Sequence, residues 1–592
     1  MKYPKLKVQQ SSRDMVDVFR GYNHNLRIGE GEFYDMKNMT SDFYPVMAPT
    51  KPRGLYVSAP GLTGLIAKDS LCYTDGADFV INGYHIDMEL SNEPKQLISM
   101  GAYVIIMPDK KYINTADLTD YGNIEAEFTT TDPVSFTLCR LDGSEHVVEY
   151  TQPTAPEAPA NMALWIDTSS EPHALRQWSE VSGMWVGIAT CYVKISSTGI
   201  GASFEKYDGI EISIEKENGL IDAETGNEIA PGDISPLEGS AIVWDKGDNF
   251  IVIVGMLDAV RTISNHVTIS RKMPNVDFVV ESENRLWGCR YGVAANGEIV
   301  NEVYASKLGD FKNWNCYMGI STDSYTASVG TDGPFTGAIT QPGVVLFFKE
   351  NCIHKVYGNF PANFQIQTTV CRGVQKGCER SLAMVNEIVF YKAKHAVCAY
   401  DGSLPTEISG ALGEVAYKNA VAGAHGNKYY ISMEDMEGKY HLFVYDTAKR
   451  MWHKEDDLRA DCFCSCRDEL YCIEHDSNRI ITLLGSGEHL TDKVVWMVES
   501  GPMSMNMPDM KYLKRLLLRM SVEMGGRFRI SIQYDSFGPW EMQFAGASTS
   551  TRSFSVPIRP RRCDHFRLRI EGTGDARIYS VTKTVEQGSD IS

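Results

Sequence analysis

Asp69-Ser70-Leu71-Cys72-Tyr73-Thr74-Asp75-Gly76 reads as an apolar, aromatic strand running into a tight turn. Asp468-Glu469-Leu470-Tyr471-Cys472-Ile473-Glu474-His475-Asp476 repeats the form far along the chain with different residues. Between them lie Asn284-Arg285-Leu286-Trp287-Gly288-Cys289, Val345-Leu346-Phe347-Phe348-Lys349, Ile388-Val389-Phe390-Tyr391 and Lys428-Tyr429-Tyr430-Ile431-Ser432. Second strands such as Val397-Cys398-Ala399-Tyr400-Asp401-Gly402 and Leu442-Phe443-Val444-Tyr445-Asp446 end in a Tyr-Asp or Gly turn. A lone hairpin cannot bury its apolar face, so such units must pack side by side around a shared centre. Their spacing of roughly 40 to 50 residues is the blade length of a β-propeller. A β-sandwich with irregular hairpins is the other arrangement the pattern allows.

Working outward, residues 61–123 hold the first units and residues 261–490 the remaining blades. Between 124 and 260 the repeat is lost. Thr151-Gln152-Pro153-Thr154-Ala155-Pro156-Glu157-Ala158-Pro159 is linker-like, and Tyr192-Val193-Lys194-Ile195 and Ile210-Glu211-Ile212-Ser213-Ile214 are short strands. This predicts a small β-barrel or β-sandwich inserted at a loop, where added length costs little closure entropy. Residues 491–592 alternate strictly, as in Phe528-Arg529-Ile530-Ser531-Ile532-Gln533-Tyr534 and Phe566-Arg567-Leu568-Arg569-Ile570. Each such strand buries one face, which predicts a C-terminal β-sandwich. Residues 1–60 are too rich in Gly and Pro for a long helix and read as an extended arm. The arm either pairs with the first β unit or clasps a neighbouring subunit. The expected fold is therefore all-β: a propeller body, an inserted small β domain and a C-terminal sandwich.

The 592 residues are 43% hydrophobic and 22% charged, ordinary for a globular protein, with a formal net charge of -19. That balance argues against a sequence-specific DNA reader, which needs a basic face. It suits a surface along which a duplex slides without sticking. Met1-Lys2-Tyr3-Pro4-Lys5-Leu6-Lys7 is followed by no apolar signal segment, and runs such as Phe250-Ile251-Val252-Ile253-Val254 are strand-sized rather than membrane-spanning. The 14 cysteines, mostly inside apolar strands, read as reduced thiols of a protein assembled in a cytoplasm. Arginines collect near the end, at Arg515, Arg519, Arg527, Arg529, Arg552, Arg559, Arg561, Arg562, Arg567 and Arg569. They form either a solvated sheet face or a dock for an acidic neighbour.

Candidate chemistry is sparse. Cys462, Cys464 and Cys466, with Cys472, His453 and His475 nearby, are the best metal candidates. Alternate strand positions spread ligands in a row, however, and paired-cysteine zinc spacing is absent. Gly29-x-Gly31 is too short for a phosphate loop, and Gly373-Val374-Gln375-Lys376-Gly377 lacks its Lys-Ser/Thr ending. No zinc-protease helix or nucleophile elbow occurs. The reading assigns no catalytic, cofactor-binding or metal residue and no cofactor, and it expects the chain not to be an enzyme. Two rivals remain. One is a surface protein that binds glycan through Trp178, Trp185 or Trp540 on loop tips. The other is a propeller glycosidase using two facing carboxylates, which sequence alone does not bring together.

The arm carries a resemblance. Phe19-Arg20-Gly21-Tyr22-Asn23, Gly31-Glu32-Phe33-Tyr34-Asp35-Met36-Lys37-Asn38-Met39, Ser41-Asp42-Phe43-Tyr44-Pro45-Val46 and Lys51-Pro52-Arg53 resemble the opening segment of two groups of bacteriophage proteins. These are the tail nozzle (tail tubular B-like) and packaged-DNA-stabilisation proteins. Tyr304-Ala305-Ser306-Lys307-Leu308-Gly309-Asp310-Phe311-Lys312-Asn313-Trp314 is similar to a segment common in them. The resemblance covers the arm and propeller, not the inserted or C-terminal domains. It implies a propeller-bearing virion tail protein, assembled in the bacterial cytoplasm as a ring of six. That ring would meet adjacent tail or head–tail connector proteins, extend the DNA channel and gate DNA retention and ejection. No family catalytic residue comes with it.

Overall fold

A computed structural model describes residues 11–588, apart from 217–218, 231–236, 295–296, 506 and 508. The extreme N-terminus, where the signal segment was sought, lies outside the described residues. The described chain is all-β, without an α-helix, and has no helix long and apolar enough to cross a membrane.

The repeating hairpins form seven four-stranded antiparallel blades among the described residues, and in six of them neighbours in sequence are neighbours in the sheet. Blades 1 to 6 span residues 62–87, 96–123, 278–328, 337–370, 383–407 and 417–454. Blade 7 takes three strands from 460–482 and its fourth, Gly54–Ser58, from near the other end of the chain. That strand lies inside the stretch expected to be arm. It pairs Ile480 with Val57 and Ile481 with Leu55, closing the last blade with the first part of the chain. The fold is a β-propeller body with an inserted β domain and a C-terminal β-sandwich.

The chain divides into two compact units. One holds the residues up to Leu97, Phe335–Lys355 and those from Gln367 on; the other holds Ile98–Pro334 and Val356–Ile366. In the first unit, Leu65, Tyr73 and Val80 of blade 1 pack with Cys466, Ile473 and Ile480 of blade 7. Tyr430, Leu442 and Val444 of blade 6 pack with Leu470 and Ile481 of blade 7. Phe348, Phe390, Tyr391 and Tyr429 carry the core through blades 4, 5 and 6. In the second unit, Ile105 and Tyr112 of blade 2 pack with Leu286, Tyr304 and Trp314 of blade 3. The buried aromatics that marked the repeat in sequence are therefore the blade-to-blade contacts.

The insertion runs from Ala126 to Arg271, past the expected end at 260, because Arg261–Ile263 and Val267–Arg271 return to its two main sheets. Phe136, Val193, Ile195, Ile210, Ile212, Ile251 and Ile269 fill the space between them. A third small sheet, residues 150–187, packs Leu164, Ile166 and Leu175 on Leu138.

The C-terminal sandwich pairs two sheets. One is built on Lys511–Val522 and Ala576–Gln587; the other contains Val495–Ser500, Phe566–Thr573, Arg527–Tyr534 and Glu541–Gly546. The arm is spent within its own chain. Ser11–Val16 pairs with Ala576–Gln587. Gly21–Tyr22 and Glu32–Lys37 lie between Met451–Lys454 of blade 6 and Val495–Ser500, making one continuous ten-stranded sheet. Neither sequence expectation for the arm anticipated this, because main-chain edges carry no residue code that names their partner.

Candidate functional site

The arm segment that carries the family resemblance ends in a polar seat on blades 6 and 7. Gly21 begins the seat with φ +82, and a Cβ there would lie 2.3 Å from the Trp452 carbonyl oxygen, so only glycine lets the arm approach this strand. Further on, Ser41 Oγ donates to Asp446 Oδ2 at 2.5 Å. Asp446 is the aspartate of the Tyr445-Asp446 turn. The same carboxylate accepts from Lys449 Nζ at 2.9 Å and from the backbone N–H groups of Ala448 and Lys449. Lys428 Nζ bridges Thr40 Oγ1 at 2.9 Å and Asp42 Oδ1 at 2.6 Å. Arg53 Nη2 reaches Asp456 at 2.7 Å and Glu455 at 3.4 Å. The arm's Asp35 pairs with Lys454 of blade 6 at 2.9 Å.

Some of these groups line a cavity of about 420 Å³, whose walls include Asp42, Lys51, His425, Lys428, Asp446, Lys449 and Glu455. Burial opposes ionisation of Asp42, but Lys428 outweighs it and holds the carboxyl below its ordinary range. Asp446 is likewise low: burial is outweighed by its bonds from Ser41 and Lys449. Glu455 goes the other way, where burial pushes it up to about 7 against the pull of Arg53. Two residues away, burial pushes His453 down to about 3, so the ring is neutral. The three carboxylates Asp42, Asp446 and Glu455 are all engaged by cations or donors. The arrangement fastens the arm.

The residues singled out in sequence are scattered. Cys462, Cys464 and Cys466 alternate along the strand Ala460–Cys466 as free thiols. His475 is held by Asp461 at 2.8 Å and Asp476 at 3.1 Å rather than by sulfur. No group of metal-holding geometry occurs among the described residues. Trp178 and Trp185 pack edge to face at 5.5 Å, with Trp165 at 5.3 Å from Trp185. Trp540 lies under the Arg569 guanidinium at 4.2 Å. The arginine zone divides in two. Arg567 and Arg569 grip Glu499, Arg529 pairs with Glu571 and Arg561 with Glu541, while Arg515 and Arg519 stay exposed in another sheet. The Ser41–Asp446 seat was not foreseen. Both halves were visible in sequence, but nothing local linked a Ser-Asp in the arm to a turn some four hundred residues later.

No family model and no curated protein matches this chain. Among solved structures it is similar to PorZ, a bacterial surface component of the type-IX secretion system of Porphyromonas gingivalis. The identity is 11% over 90% of this chain and 82% of that one, at a TM-score of 0.25. It is similar to the WD40 domain of Toxoplasma gondii coronin, 10% identical over 62% of this chain and 88% of that one, at a TM-score of 0.22. It is also similar to an exo-β-1,3-galactanase from Phanerochaete chrysosporium, 8% identical over 52% of this chain and 94% of that one, at a TM-score of 0.21. Two further glycoside hydrolases are matched at comparable levels. With glycoside hydrolases among the matches, the expectation that the chain is not an enzyme, which rested on missing short motifs, is withdrawn. On a scaffold of separate blades, paired carboxylates arrive from distant segments and leave no compact signature. Likenesses of this size assign no activity.

Proposed function

We propose that this chain is a structural subunit of a bacteriophage virion tail, one member of a nozzle ring that extends the DNA channel and takes part in retaining and releasing the genome. Its partners are then further copies of itself and the neighbouring tail or connector proteins, with genomic DNA in passage. One observation carries the reading. The stretch that resembles the nozzle proteins is used as a strap, its strands Gly21–Tyr22 and Glu32–Lys37 joining blade 6 to the C-terminal sandwich in a single hydrogen-bonded sheet. A strap of main-chain bonds, locked by Ser41–Asp446 and Lys428–Asp42, transmits load between domains. A net charge of -19 disfavours adhesion to a passing duplex. Immunogold labelling and mass spectrometry of purified phage particles test the proposal. The expected result is gold at the tail and the protein in stoichiometric amount; absence from particles overturns it.

A further inference from the structure

Two sheet faces, one in each compact unit, carry matching unused charge. The first is the outer face of the sandwich sheet built on Ala576–Gln587. Arg13 and Arg515 both stand opposite Thr584, one on each side. Met15 and Leu517 flank Thr582 in the next row, and Arg519 follows beside Ser553 and Ser580. Leu516, Leu518, Val581 and Val585, of opposite parity, fill the sandwich core, which fixes this as the outward side. Arg13, Arg515 and Arg519 are exposed, and Met15 is 57% exposed. Glu586, at the end of the face, is taken by Lys514.

The second face belongs to the insertion. Glu127 and Glu211 both stand opposite Ser270, one on each side. Thr129, Thr268 and Ser213 make the next row, and Ser240 lies beyond Glu211. Phe128, Ile210, Ile212 and Ile269 turn to the core from the opposite side. Glu127 and Glu211 are exposed. Among the described residues these two glutamates and the three arginines have no ion-pair or side-chain hydrogen-bond partner.

The spacing matches. In each face two like charges sit two strands apart around a central hydroxyl residue, about 9.5 Å by strand geometry. Ser and Thr make up most of the rest of both faces, with Met15 and Leu517 the apolar members of the first. The charge balance of the parent domains agrees. Residues 126–271 hold 22 Asp and Glu against 8 Lys and Arg, while residues 491–592 hold 15 Lys and Arg against 11 Asp and Glu. Like charges held near each other on one face repel, so an outside partner that neutralises them gains on both sides.

We infer that the Arg13–Arg515–Arg519 face docks the Glu127–Glu211 face of a second copy of this chain. The contact uses two different surfaces, so each copy keeps one of each free. Assembly therefore propagates until it closes into a ring or continues as a filament. This deepens the proposed ring by naming its contact.

The test uses full-length protein in sedimentation velocity and light scattering at about 50 mM and about 500 mM salt, spanning weak to strong screening. Wild type is expected to form species larger than a dimer at low salt and to dissociate at high salt. R515E/R519E and E127R/E211R are each expected to weaken association by about tenfold or more. An equimolar mixture of the two variants is expected to regain it, because every reversed face then meets a complement. A misfolded variant would give no such rescue. A wild type that stays a single chain overturns the contact. So do variants that associate as wild type does. Loss of generic duplex DNA binding by R515E/R519E with unchanged mass also overturns it, reassigning the arginines to phosphate. The virion proposal stands or falls separately, on whether particles contain the protein.

Discussion

At the residue scale, a few positions have almost no freedom. Gly21 combines a left-handed backbone with a carbonyl where a Cβ would go. Gly21→Ala is expected to cost at least about 2 kcal/mol, read as a lower urea midpoint, because both strain and a clash must be relieved. Glu455 and His453 respond to pH in opposite senses. The folded state holds the proton of Glu455 up to about 7, so its contribution is present below the ordinary glutamate range and is lost as pH rises toward 7. The folded state keeps His453 neutral down to about 3, so its contribution is present above the ordinary histidine range and is lost as pH falls below it. Between pH 5 and 6.5 the two partly cancel. Glu455→Gln removes one and is expected to make stability rise with pH more steeply than in wild type, by up to about 1.4 kcal/mol per unit. Urea midpoints of both proteins across that window check it, and parallel slopes would refute it. None of this was legible in sequence, since burial of a single glutamate within a polar Lys-Glu-Asp-Asp run depends on what the arm lays over it.

At the element scale, the blades were legible and their closure was not. Runs such as Val344–Lys349 and Ile388–Lys392 are nearly all buried, and their aromatics announce a strand packed on both faces. Gly54–Ser58 is weaker in pattern, with burial alternating along a five-residue segment, and it merged with the arm on reading. Yet Leu55 is paired on both sides, with Ile481 and with Glu488. Leu55→Pro is therefore expected to cost about 3 kcal/mol or more, well beyond Leu55→Ala, and to remove amide-exchange protection at Ile480 and Ile481 first. Equal effects of the two substitutions would mean the strand is not held by its main chain. The arm seat is testable in the same way. Ser41→Ala leaves the buried Asp446 carboxylate short of one donor and is expected to cost about 1–2 kcal/mol, with proteolysis within residues 20–50 becoming faster.

At the scale of the whole molecule, charge is segregated. The net -19 is not spread evenly: the insertion is strongly acidic, and the C-terminal sandwich is basic with part of its arginine set already neutralised from within, by Glu499 above all. Of the arginines left over, Arg515 and Arg519 lie with Arg13 of the arm in the rows of one outer face. Association driven by such a face weakens steeply with salt, and the salt dependence of the wild-type mass separates it from apolar association, which salt does not weaken.

Period-two burial, aromatic strand centres and Gly or Asp turns are properties of a few consecutive residues. From them alone followed the all-β class, the repeating blades, the interruption after residue 124 and the strict alternation of the C-terminal strands. Which distant edges meet is a property of no short stretch. Only the folded chain placed Gly54–Ser58 in the last blade, threaded the arm between blade 6 and the sandwich, and seated Ser41 on Asp446. The physical reason is that backbone hydrogen bonds are the same for every residue, so shape and burial choose the partner.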